Sequence, residues 1–218
     1  MFFATITKNA PRPAPESRCG KREARLIQMA GLTMERAKEL LHSTTTEAHL
    51  FEHAIGVSAA MGAMARHFGE DEAYWQAVGY LHDYDYEQYP EEHLKHTEEP
   101  LRAAGVDEES IRAILAHGWG LCSEVEPKTP MEKSLFTVDE LTGLIGATAR
   151  MRPGGLSDLE AASVKKKFKD KKFAAKIDRA VIRQGCELLG MELGDVIDLC
   201  IQGMRGQMDA LGLGPREG

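Results

Sequence analysis

No stretch of the 218-residue chain approaches the roughly 20 consecutive apolar residues needed to cross a bilayer, so a membrane span is not expected. The four cysteines, Cys19, Cys122, Cys186 and Cys200, lack the paired spacing of a disulfide framework or a zinc knuckle and read as reduced thiols of a cytoplasmic protein. No Gly-rich phosphate-cradling loop, internal repeat or coiled-coil heptad run is present, and nowhere does apolar and polar alternation argue for a strand. A net charge of -7 argues against general nucleic-acid binding. What remains, with 43% hydrophobic and 28% charged residues, is the composition of an ordinary globular protein with a sizeable core. Histidine is missing from one region and concentrated in another: all eight fall between His42 and His117.

Residues 1 to about 30 carry Pro11, Pro13 and Pro15 without apolar periodicity and read as a flexible extension; a true start at Met29 or Met34 is the alternative. From there the pattern is helical throughout. Thr33 is placed to cap a helix over Met34–Leu41. Leu50, Ala54, Val57, Met61, Met64, Ala65 and Phe68 recur at 3-and-4 spacing in a helix from about Thr46, and His53 falls on that stripe and faces inward. A further helix opens at Glu70-Asp71 and runs through Trp75, Val78 and Leu81 to His82-Asp83. Two adjacent residues on a helix point about 100° apart, so both reach one centre only where the helix is ending, as the following tyrosine-rich loop and Pro90 indicate. Thr97 is placed to cap the next helix and Asp107 the one that ends at His117. Thr129-Pro130 starts an apolar helix through Met151 that carries Asp139 next to Val138; a bare carboxylate there would cost several kcal/mol, so a partner is expected. Two helices, about Asp178–Leu189 and Leu193–Leu211, complete an all-α chain: a core over 31–151 with C-terminal helices over 152–213 packing on it.

His53, His82, Asp83 and Asp139 resemble the pattern of the HD-domain metal-dependent phosphohydrolases: a histidine, a His-Asp pair, and a distant aspartate on a later helix. The resemblance covers about Met34–Met151 and implies an HD-domain-like helical bundle. It makes these four residues metal ligands, with His82 and Asp83 at the catalytic centre. Members holding two metals add two histidines between the pair and the last aspartate. His117 matches the second; His93 and His96 compete for the first, and His93, after Tyr89-Pro90-Glu91-Glu92, is favoured by position.

Two divalent ions about 3.5 Å apart repel by roughly 19 kcal/mol at an effective dielectric of 20, so a bridging anion is required, and Asp83 is its natural candidate. Four neutral histidines, two aspartates and one hydroxide against two dications leave about +1, which attracts an anionic oxygen. The resemblance therefore implies hydrolysis of a phosphate ester, a nucleotide or another small phosphorylated molecule, by metal-held hydroxide. Mixed imidazole and carboxylate ligands suit Mn, Fe, Co, Ni and Zn alike. Lys133, Lys166 and Lys169 are candidate contacts to substrate phosphate, the latter two within the basic run Lys165–Lys172. Tyr84, Tyr86, Tyr89 and Trp119 are candidate stacking residues. The same ligand types occur in di-iron oxygenases resembling myo-inositol oxygenase, and a non-catalytic metal-containing regulatory module is the other alternative. The Gly-Tyr-Pro motif of the superfamily's cyclic dinucleotide phosphodiesterases is absent, since Gly118-Trp119-Gly120 follows His117.

Overall fold

The computed structural model describes residues 31–216, and the expectations for the first 30 residues lie outside them. Among the described residues the fold is all-α: α1 (Met34–Thr44), α2 (Ala48–Phe68), α3 (Glu72–Leu81), a 3-10 turn (Pro90–Glu92), α4 (Glu98–Ala103), α5 (Glu108–Ala116), α6 (Pro130–Arg150), α7 (Ala161–Lys169), α8 (Arg179–Leu189) and α9 (Leu193–Arg205). No described helix is long and apolar enough to cross a membrane.

Helix α2 is the central pillar. Its run from Gly56 to Ala65 is buried on every side, because α3, α6 and α9 pack around it. Small side chains permit this close approach. A Cβ on Gly203 of α9 would overlap the Ala59 carbonyl, and one on Gly79 of α3 would come within 2.8 Å of Met61 Cγ. Helix α8 packs on α6, and α7 lies against α6 and α9.

The helix ends that matter for the site follow from local hydrogen bonding. Gly69 closes α2 in the left-handed conformation with φ 74°, and the Asp71 side chain then caps α3 by accepting from Tyr74 N–H. Asp107 caps α5 through Ser110 N–H. Thr129 and Glu132 form a reciprocal capping box at the start of α6. Glu87, from the loop after His82-Asp83, accepts from Thr46 N–H, the Thr46 hydroxyl and Glu47 N–H. That use of Thr46 starts α2 at Ala48 rather than at Thr46, and it ties the loop to the base of the pillar.

Two further boundaries and one cap differ from the sequence expectation. Helix α1 continues past Leu41 to Thr44, where the Ser43 and Thr44 hydroxyls donate back to the Leu40 and Leu41 carbonyls. Helix α9 stops at Arg205, and the remaining residues to Leu211 run in turns after Gly206. The Thr97 hydroxyl is buried and makes no cap bond with α4, so that expectation fails.

Candidate metal centre

Four elements converge on one cluster. His53 comes from the second turn of α2, His82 and Asp83 from the end of α3, His117 from the end of α5, and Asp139 from the middle of α6. His93 joins them from the irregular segment after the 3-10 turn. Asp83 stands between two groups of ligand-type atoms. Its Oδ2 lies 3.3 Å from His82 Nε2 and 3.6 Å from His53 Nε2. Its Oδ1 lies 3.3 Å from His93 Nε2 and 3.7 Å from His117 Nε2. On the first side Asp139 Oδ1 completes the set, 2.8 Å from His53 Nε2 and 3.3 Å from His82 Nε2.

The tautomers are set by the backbone. His82 Nδ1 is 2.9 Å from the Gly79 carbonyl and His117 Nδ1 is 2.6 Å from the Ile114 carbonyl. A carbonyl only accepts, so each Nδ1 carries the proton and each Nε2 turns a lone pair inward. His93 Nδ1 donates to Asp85 Oδ1 at 2.8 Å, which aims its Nε2 the same way. The Nε2 atoms meet in pairs, His53 with His82 at 3.2 Å and His93 with His117 at 3.1 Å, where either a shared proton or a bound cation would satisfy them. Burial alone would push His82 down, but Asp83 and Asp139 outweigh it and hold the imidazole well above its ordinary value. His93, against the same opposition from burial, is raised to about 9 by Asp83 and Asp85. Burial and the charge at His82 push His117 down to about 4. Asp139 is held low despite burial, through His53 and His82. Two carboxylates held ionised among imidazole nitrogens offer the charge and ligand types that fit divalent cations.

The sequence reading missed two features of this centre. Asp85, almost fully buried, accepts from His93 Nδ1 and from the backbone N–H groups of Leu94 and His96, and so fixes the segment that carries His93. Asking which carboxylate orients each candidate imidazole would have pointed to it. Glu140, next to Asp139, accepts from Asp178 N–H, and burial together with the Asp139 charge raises its carboxyl to about 7.

The cluster opens into a cavity of about 600 Å³. Leu50, Leu121, Ile177 and Val181 supply apolar wall. Tyr86 lines it too, edge-on to His93 with ring centroids 5.2 Å apart. The other aromatic candidates lie elsewhere: Tyr89 stacks on His96 at 3.9 Å, Trp119 packs against Phe136, and the Tyr84 carbonyl accepts from Thr44. His96 points away from the cluster to Glu92. Lys133, Lys166 and Lys169 do not line the cavity, because α6 and α7 turn them toward other surfaces; Lys176, beyond the end of α7, does line it.

Helices that deliver histidines and aspartates to a shared carboxylate define the class, a helical protein with a candidate metal centre. Residues 50–140 match the family model of the HD domain, a segment that contains every one of these ligand-type residues. Members of that superfamily are typically metal-dependent hydrolases. Comparison with curated proteins and with solved structures gave no match.

Proposed function

We propose that the protein is a metal-dependent phosphohydrolase that cleaves a phosphate ester of a small molecule. The observation that supports this most strongly is the division of the Asp83 carboxylate between two sets of ligand atoms. His53, His82, Asp83 and Asp139 would hold one ion, and Asp83, His93 and His117 a second. Bound divalent ions in such an arrangement supply a hydroxide nucleophile at neutral pH and balance charge on the attacking and leaving oxygens of an in-line displacement. The chain's own part is to orient and to enclose. Gly79, Ile114 and Asp85 fix three imidazoles in the tautomer that turns Nε2 inward. Leu50, Ile177 and Val181 would give the body of the ester an apolar wall to pack on.

The test is turnover of a phosphomonoester panel, including nucleoside monophosphates, by protein reconstituted separately with Mn, Fe, Co, Ni and Zn. Release of phosphate that falls at least about 100-fold in Asp139→Ala is the expected result. Iron-dependent oxygen consumption without phosphate release in any preparation would instead place the chain with the oxygenases of this fold.

A further inference from the structure

The segment Asp170–Asp178 between α7 and α8 has little regular structure, yet it is fastened at several points. The buried Arg179 guanidinium donates to the carbonyls of Phe168, Asp170, Phe173, Ala174 and Ile177, so five backbone carbonyls close on one side chain. Ala174 is held at φ 45°, a left-handed conformation that alanine rarely adopts unaided. At the far end Glu140, beside the ligand-type Asp139, accepts from Asp178 N–H. Gly143, one turn further along α6, leaves room for Ile177: a Cβ there would come within 2.9 Å of Ile177 Cδ1. The metal-bearing helix and this segment are therefore built against each other, and they present Lys176 and Ile177 to the cavity. Among the described residues Lys176 is the only lysine or arginine lining that cavity.

We propose that Lys176 is the specificity-determining cation of the site, binding the substrate's phosphate group, and that the substrate is a phosphomonoester with a compact, weakly polar remainder. The proposal deepens the phosphohydrolase reading and rests on it for the identity of the anion. One cation beside apolar wall from Leu50, Leu121, Ile177 and Val181 suits one phosphate on an apolar body. A polyphosphate chain would bring several charges to a cavity where, apart from the metal centre, Lys176 is the only cationic lysine or arginine side chain among the described residues and the Glu140 carboxylate also lines the wall.

Calorimetry on the metal-loaded full chain tests this without requiring turnover, with inorganic phosphate, phenylphosphonate and tripolyphosphate as probes. Phosphate affinity should fall about tenfold in Lys176→Gln, the loss of one charge-assisted contact, and recover to within about threefold of wild type in Lys176→Arg. The double variant Lys166→Gln/Lys169→Gln, on the exposed face of α7, should bind as wild type does. Phenylphosphonate should bind tighter than phosphate, and tripolyphosphate weaker than phenylphosphonate. Unchanged phosphate affinity in Lys176→Gln, or no phosphate binding by the wild type, overturns the role of Lys176; tightest binding of tripolyphosphate overturns the compact substrate. Phosphate binding that depends on Lys176 in a protein that hydrolyses no ester would sink the phosphohydrolase reading alone and support the anion site.

Discussion

The two sides of the ligand-type cluster around Asp83 are positioned by different means. His53 and Asp139 sit within the 21-residue helices α2 and α6, so backbone hydrogen bonds and a buried flank fix where they point. His93 sits in an irregular stretch after a three-residue turn, and one buried carboxylate, Asp85, accepts both its ring proton and two neighbouring backbone N–H groups. A ligand on a long helix is held by the whole fold; a ligand on a loop depends on the residue that anchors it. The first side should therefore be robust to substitutions outside the ligand set, and the second should not.

Removing Asp83, which faces both sides, has the largest expected effect. Asp83→Ala should lose both metal sites, seen as near-zero metal content after purification, with the far-ultraviolet dichroism of a helical fold retained. Asp85→Ala comes next and sharpens the contrast. Outer carboxylates of this kind are worth about 10–100-fold in metal affinity, so one ion should dissociate that much more readily while the other is held as in the wild type. Equal weakening of both ions in a titration would erase the distinction between the two sides.

A smaller effect is expected where helix ends, not ligands, are at issue. Asp107 caps α5, the helix that delivers His117, and accepts from Tyr74 and Ser110 hydroxyls as well as Ser110 N–H. Burial raises its carboxyl, but these donors outweigh burial and hold it below the ordinary value. A depressed carboxyl stabilises the fold above its unfolded value near 3.8 and loses that contribution as pH falls through the lower folded value. Asp107→Ala should cost about 1 kcal/mol in denaturant melts at neutral pH, and the difference from wild type should shrink in strong acid. The smallest effect belongs to His96→Ala. That ring pairs with Glu92 and stacks on Tyr89 at the surface, so metal content should stay within error of wild type.

How much of this could be read from the sequence follows the same division. Helical periodicity and capping residues gave α2, α3, α5 and α6, because Thr129, Asp107, Asp71 and Gly69 act within one turn of their own position. His53 and Asp139 were legible for that reason. The all-α class was legible too, since no alternating stretch competes with the 3-and-4 spacing. Asp85 was hidden because its function depends on a backbone path between residues 85 and 96 that no periodicity encodes. The lysines named from the charge run were misplaced for a related reason. Lys166 and Lys169 lie on the solvent face of α7, whereas Lys176 reaches the cavity only because Arg179 gathers the intervening carbonyls.

The central claim is that Asp83 is shared by two ion sites, and metal stoichiometry tests it most directly. Elemental analysis of untagged protein purified without added metal should give about two ions per chain, falling to about one in His53→Ala and to about one in His93→Ala. About one ion in the wild type, indifferent to His93→Ala and lost in His53→Ala, would contradict it and leave a single ion held by His53, His82, Asp83 and Asp139.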